Sequence, residues 1–286
     1  MSATNPPDEV SALHTITSLA LDPQLPLFKH YPAMKLGVRE SVRFYAALLL
    51  PLVEKIVSSR PEITDWVVTA PPLYAIPAGA NLIAWEVFRL LTAKNSINAN
   101  IRSVDLRYSH PSPPSNNPRG ADYSGSGIAN RVQNRQALHE GKWAPKPDPA
   151  DFRGRGVLFI NDINVTGTQQ KYVRGTLERV EPALIRWLYI FQVETVLGRE
   201  HPEIEYALNF LNIATFEEFA SVLAHADIDY TSRAVGRLFT YSEEELGPFV
   251  RTLDRGRRER LYQLVVEEGS FREEVHRAKL TMLQAS

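Results

Sequence analysis

The sequence predicts an α/β protein in which a parallel sheet carries helices on both faces and a helical appendage follows. Two observations lead there. Between Gly37 and Val193 helical segments alternate with short apolar ones, the order that crossover helices impose on parallel strands. Beyond about residue 200 the strand-like segments stop, and Thr215-Phe-Glu-Glu218 and Ser242-Glu-Glu-Glu245 match the capping box that opens helices. The expected organisation is an N-terminal arm over residues 1–30, a core over 31–199 and a helical C-terminal domain over 200–286.

Each element has its own reason. Residues 1–30 are rich in proline and small polar residues and read as an arm or loosely packed lead-in. From Gly37 to Ser58, Val38, Val42, Tyr45, Leu49, Leu52 and Ile56 recur at steps of three and four, which predicts a helix. Pro51 is expected to bend or divide it. Residues 65–70 (DWVVTA) are β-branched and halted by Pro71-Pro72, a strand with an abrupt end. Ala78 to Lys94 is again helical, and residues 99–108 alternate as a strand. Residues 109–126 form a long stretch of Ser, Pro, Asn and Gly, a length found mainly in functional or disordered loops. A short helix over 128–140 and a Pro-rich connection over 144–150 come next. Strand 156–161, helix 167–180 and strand 183–193 complete the core, and no 20–50-residue repeat suggests a solenoid.

Composition narrows the function classes. With 44% hydrophobic and 23% charged residues the chain is that of an ordinary globular protein. A net charge of -1 supplies no bulk field for nucleic acid or an anionic membrane, so nucleic acid is disfavoured as a partner. The absence of cysteine removes disulfides, thiolate nucleophiles and cysteine-ligated zinc, and fits a reducing compartment. No basic segment leads into an apolar stretch near Met1, so no secretory signal is expected. The longest greasy run, residues 44–53, is half of the roughly 20 residues a bilayer requires, which predicts a buried helix and a cytoplasmic location.

Chemistry concentrates in residues 156–170, GVLFINDINVTGTQQ. Open parallel sheets bind ligands at the carboxyl ends of their strands, where this stretch, the Thr69-Ala-Pro-Pro72 segment and the long loop all fall. Val157 to Ile160 bury a strand on both faces, and Asp162 then appears at its exit. Thr166, Gly167 and Thr168 stand where the next helix begins, and hydroxyls, a glycine and helix-terminal amides together make an anion site. A carboxylate on the same edge suits vicinal sugar hydroxyls, so the combined ligand expected here is a sugar phosphate. The plainer reading is that Asp162 and Asn164 make a turn and that Thr166 or Thr168 caps a helix. For any one of these residues alone the plainer reading is favoured; the block is more specific.

As a block it resembles the ribose-phosphate-binding motif of type I phosphoribosyltransferases, in which an apolar strand ends in two acidic residues before a Thr/Gly-rich loop. The resemblance implies that Asn161 and Asp162 contact the ribose hydroxyls of phosphoribosyl pyrophosphate, with Thr166, Gly167, Thr168 and Gln169 around its 5-phosphate. Residues 69–81 (TAPPLYAIPAGAN) look like the pyrophosphate loop, implicating Pro71, Pro72, Leu73 and Tyr74, followed by the helix start Gly79-Ala80-Asn81. This form is similar to the competence-protein-F-like branch, and the general plan to phosphoribosyltransferase-like proteins encoded beside tellurite-resistance genes. Residues 107–142 take the place of the mobile catalytic loop, with Gly120, Gly125 and Gly127 as hinges and Tyr123 either stacking on a base or packing at the tip. The resemblance covers roughly residues 35–195.

It implies a magnesium-dependent (Mg2+) enzyme that moves ribose 5-phosphate from phosphoribosyl pyrophosphate to an unidentified base or amine acceptor. Lys35, Arg107 and Arg119 are candidate cations, Asp162 bears on the metal only through ribose hydroxyls or water, and a homodimer is left open. Three departures count against the nucleobase chemistry: Asn161 replaces the first acid, Val165 stands where purine-specific members carry an aspartate, and Gln169 replaces a hydroxyl residue. The alternative is a non-catalytic sensor of phosphoribosyl pyrophosphate or a nucleotide, acting through the helical C-terminal domain. A phosphorylase or hydrolase of ribose phosphates is a third reading.

Other signals carry less. Residues 125–130 (GSGIAN) fall short of a dinucleotide fingerprint, and no P-loop pattern occurs. The seven histidines are scattered without metal-ligand spacing. The basic run 251–260 is interrupted by Asp254 and Glu259 and reads as a solvated helix face.

Overall fold

A computed structural model describes residues 9–95, 97–108, 145–269, 271 and 276–284. The expected loop 109–126, the helix over 128–140, the three glycine hinges, Arg119 and Tyr123 lie outside the described residues. In chain order the elements are β1 (Glu9–Ile16), α1 (Pro26–Lys29), α2 (Tyr31–Leu36), α3 (Arg39–Ser58), β2 (Asp65–Thr69), α4 (Gly79–Lys94) and β3 (Asn100–Ser103). There follow α5 (Pro149–Phe152), β4 (Gly156–Asn164), α6 (Thr168–Leu177) with a 3-10 turn (Glu178–Val180), and β5 (Leu184–Val193). Helices α7 (Thr195–Glu200), α8 (Ile204–Asn209), α9 (Phe216–His225), α10 (Ser232–Leu238), α11 (Glu243–Thr252), α12 (Arg255–Glu268) and α13 (Arg277–Gln284) complete the chain.

The five strands form one all-parallel sheet in the order β1-β5-β4-β2-β3. β4 and β5 are buried along nearly their whole length, as two-sided burial of central parallel strands requires. β2 stops at Thr69 because Pro71 and Pro72 donate no ladder hydrogen bond. Three details differ from the sequence reading. Residues 9–16, placed in an arm, form an edge strand paired with β5; its one buried apolar residue is Ile16, too weak a pattern to announce a strand. β3 ends at Ser103, and the residues beyond turn to pair with the loop after β2, through a bridge between Leu73 and Arg107. α3 runs unbroken through Pro51, which is exposed along with Ala47, so the carbonyl that loses its helical donor lies on the solvent side.

The largest core packs α2, α3 and α4 on one sheet face, with Tyr31, Tyr45, Leu49, Trp66 and Ile83 wholly buried. On the other face α5 and α6 bring Phe152, Val173 and Leu177 against Phe159 and Trp187. Alternation along β4 shifts by one residue near its end. Leu158 and Ile160 face the large core, yet so do Ile163 and Val165, and β5 makes the same step at Ile190 and Phe191. Asn161 and Asp162 stand at that step.

The C-terminal helices build a core of their own around Phe219, Leu238, Leu246 and Leu261, while Ile204 and Leu208 of α8 pack with the sheet. Both expected capping boxes form, at Thr215/Glu218 and Ser242/Glu245. Leu36 and Ile76 are buried in this helical core, which ties α2 and the loop after β2 to it. Among the described residues no helix is long and apolar enough to cross a membrane.

Gly37 sits on the seam. Its φ is +98°, and an added Cβ would lie 1.8 Å from the Asp229 carbonyl oxygen. Its own carbonyl accepts the Asp229 amide at 3.0 Å, and the Arg39 amide donates to the Asp227 carbonyl at 2.9 Å. The Arg39 guanidinium also meets the carboxylates of Asp227 and Asp229, but these pairs are half exposed and screened. Gly37→Ala should therefore lower unfolding free energy by about 3 kcal/mol or more, combining left-handed strain with the clash. Arg39→Ala should lower it by about 1 kcal/mol or less. Urea unfolding of the two variants checks the contrast.

Candidate functional site

β2 and β4 are neighbours, with Thr69 opposite Phe159, so their exits lie side by side on one edge of the sheet. At the β4 exit the two polar residues point different ways. Asp162, 7% exposed, turns toward α2. Its Oδ2 accepts from the Lys35 ammonium and its Oδ1 from the Ile163 amide at 2.8 Å. Lys35 also donates to Glu205 Oε1 of α8 at 3.2 Å, and Arg233 Nη2 of α10 stands 3.8 Å from that oxygen. The result is a buried chain of alternating charge, Asp162–Lys35–Glu205–Arg233, from the sheet into the C-terminal helices. Burial alone would push the Asp162 carboxyl up, but Lys35, with the Ile163 amide and Arg233, holds it below its ordinary value.

Tyr31, from the same short helix, lies under Lys35 with its ring centroid 5.6 Å from Nζ. Burial, with Asp162 and Glu205 nearby, pushes its hydroxyl pKa well up, so it remains a neutral donor. The Tyr31 hydroxyl and Thr69 Oγ1, at the end of β2, are buried with no hydrogen-bond partner among the described residues. Such groups are uncommon enough to mark unused bonding capacity at the strand exits.

Asn161 turns toward α6. Its Nδ2 lies 3.4 Å from Gln169 Oε1 and 3.5 Å from the Ile163 carbonyl, long contacts that hold it loosely. The loop itself is organised by Asn164, which sequence reading had only as a turn residue. Asn164 Oδ1 accepts the Gly167 amide at 2.9 Å, and its Nδ2 donates to Gln170 and Gln192 at 3.1 and 3.0 Å. Gly167 adopts φ +73° with open space where a Cβ would be. The hydroxyls of Thr166 and Thr168 bond each other at 2.8 Å, and neither caps α6. Lys171 N–H donates to the Gly167 carbonyl at 3.0 Å and closes the first turn of α6, so the amides of residues 168–170 form the electropositive opening of the helix.

The loop after β2 is pinned at several points. Asn81 accepts the Ala78 amide and donates to the Pro71 carbonyl, each at 2.8 Å, fixing both ends of the turn. Leu73 is buried and exchanges backbone bonds with Leu106 and Tyr108 at 3.0 and 2.9 Å. Arg107 reaches the Tyr74 carbonyl at 3.3 Å and the Asp105 carboxylate at 2.8 Å. The amides of Ala75 and Ile76 both donate to Glu268 Oε2, each at 3.0 Å.

The structure thus joins Asp162 to Lys35, Asn161 to Gln169, Thr166 to Thr168, and Arg107 to Tyr74. Glu205, Arg233 and Glu268 were not singled out in the sequence. Each is one carboxylate or guanidinium on a helix far along the chain from the strands it serves, so no local pattern marks it. Among the described residues no group of three His, Asp or Glu side chains could hold a metal ion. With Asp162 engaged by Lys35 and Asn161 neutral, these donors do not make a protein-built metal cage.

A parallel sheet with this strand exit, and a Thr/Gly loop opening a helix beside it, defines a phosphoribosyltransferase-like protein. A family model described as PRTase ComF-like matches residues 124–283, more than half of the sequence, and the chain belongs to that family. The match takes in β4, β5 and the helices through α13, reaching well beyond residue 195 where the sequence resemblance stopped, and β2 with its loop precedes it. A search of curated proteins gives no match.

Lys35→Met leaves two carboxylates buried without their shared cation and should cost about 3–5 kcal/mol in urea unfolding. Adding Asp162→Asn should recover part of that loss. Because the folded carboxyl of Asp162 titrates below the unfolded one, its stabilisation is complete above about pH 4 and fades as pH falls through the folded value. The stability gap between wild type and Asp162→Asn should therefore narrow in acid, as unfolding curves taken from pH 7 downward would show.

Proposed function

We propose that the chain binds phosphoribosyl pyrophosphate across the β4 and β2 exits and transfers its ribose 5-phosphate group to a base or amine acceptor. The observation that carries this reading is the uncapped start of α6: a left-handed Gly167, two hydroxyls turned to each other and three helix-terminal amides, one turn beyond an ionised Asp162. Phosphate oxygens suit that opening because aligned amides and hydroxyls donate strongly to a dianion. Asp162, fixed by Lys35 and the Ile163 amide, accepts from ribose hydroxyls and orients C1 for in-line approach. In the transfer the C1–O bond breaks with its electron pair going to pyrophosphate, a C1–N bond forms, and the acceptor nitrogen gives up a proton to water or to the departing pyrophosphate oxygen. Positive charge developing on the sugar ring favours a nearby ionised carboxylate. Magnesium fits here as an ion borne by the oxygens of the ligand, where it would neutralise the leaving diphosphate.

A second reading, a non-catalytic sensor of the same ligand, has its own support. Asn161 and Val165 depart from the base-directed chemistry, and the Asp162–Lys35–Glu205–Arg233 chain links the strand exit to the helical segment. Calorimetry with phosphoribosyl pyrophosphate and magnesium, followed by pyrophosphate release across a panel of bases and amines, separates the two. Binding with turnover on any acceptor supports the transferase, binding without turnover supports the sensor, and no binding removes both. Thr166→Val with Thr168→Val should weaken ribose 5-phosphate binding about tenfold or more, since hydrogen bonds to a charged group are removed.

A further inference from the structure

Glu268 is the last residue of α12, which Gly269 ends in a left-handed conformation, its amide bonded to the Val265 carbonyl at 3.1 Å. The helix stop does not require an acid. A carboxylate in the last turn of a helix lies at the negative pole of its dipole, an unfavourable place for an acid. Glu268 is also only 2% exposed, and burying a charge is costly unless strong donors meet it. Two unfavourable placements coincide at one side chain.

Among the groups that meet it is the consecutive amide pair Ala75–Ile76, both N–H groups converging on Oε2 at 3.0 Å. Successive amides aimed at one oxygen form an anion-binding concavity. The pair directly follows Pro71–Tyr74 and is kept in place by contacts that do not involve Glu268. Asn81 holds Pro71 and Ala78, the Ser232 amide holds the Pro77 carbonyl at 2.9 Å, and Ile76 is buried in the helical core. The donors are therefore aimed by the loop, with the carboxylate as their occupant.

Taking residues 69–81 as the pyrophosphate loop that the family resemblance implies, we propose that Glu268 is an internal competitor for its Ala75–Ile76 amides, through which the C-terminal helices limit access of a diphosphate group to the loop. The choice of diphosphate rests on the phosphoribosyl pyrophosphate reading above. A tethered carboxylate acts at high effective concentration, so the apparent affinity of a free anion falls by the fraction of time the amides are unoccupied. Withdrawal of the α12 end releases both donors at once. Because that end belongs to the helical segment, whatever shifts the segment sets access to the loop.

The test titrates inorganic pyrophosphate into the full chain, wild type and E268Q, with thermal unfolding followed in parallel. E268Q keeps the shape and an acceptor oxygen but removes the charge, and it should bind pyrophosphate about tenfold tighter or more while remaining folded. A folded E268Q with unchanged pyrophosphate affinity overturns the proposal. Should E268Q not fold, the wild-type amide resonances of Ala75 and Ile76 decide: a shift at saturating pyrophosphate supports the site, and no shift overturns it. Ribose 5-phosphate, which needs only the β4 exit, is titrated alongside. If it binds while E268Q gains nothing, this inference falls and the ligand reading stands; if it fails to bind while E268Q gains, the amide site stands and the ligand reading falls.

Discussion

A carboxylate enclosed at the end of a buried strand persists in its charged form only with a cation beside it, and Lys35 is that cation for Asp162. Much of the architecture follows from bringing the two together. Lys35 is the penultimate residue of a six-residue helix, and Gly37 must leave that helix in a left-handed turn to reach α3. The same turn lies against Asp229, so placing the lysine also places the C-terminal helices. Glu205 then occupies the ammonium from the other side, and Arg233 answers Glu205. Charge balance at the strand exit and the docking of the helical segment are one problem with one solution.

The two anion-directed features on this edge differ in their state. At the start of α6 no side chain caps the helix, and the neighbouring Thr166 and Thr168 hydroxyls bond each other at 2.8 Å. At Ala75 and Ile76 an intramolecular carboxylate already fills the amides. On the proposed reading, a ligand with two phosphoryl groups would dock through the start of α6, while its second group would compete with Glu268 for the Ala75 and Ile76 amides.

How much of this the sequence revealed depended on how local each feature was. β2, β4 and β5 were legible because burial on both faces forces uninterrupted apolar runs such as Val157 to Ile160 and Leu188 to Phe191. β1 was not, since an edge strand with one neighbour tolerates Glu9, Ser11, His14 and Thr15. Pro51 does not divide α3, since the Ala47 carbonyl that loses its helical donor belongs to an exposed residue that water can serve. At the candidate site, residues 161–169 could be read as a unit because they are contiguous. Lys35 could be suspected by residue type, but its partner lies across the fold, and nothing near Glu205 or Glu268 in the chain distinguishes them from surface acids.

The place of β1 in the sheet has a consequence for synthesis. Its hydrogen-bonding partner is the last strand made, so residues 9–16 leave the ribosome long before the edge they complete exists. Such a high contact order slows closure and leaves the flank of Leu184–Val193 unpaired in the meantime. That flank is among the most apolar in the protein, and an open strand of this kind recruits other chains. Once paired, β1 covers that flank and replaces it with a polar, half-exposed edge, one less prone to recruit another strand.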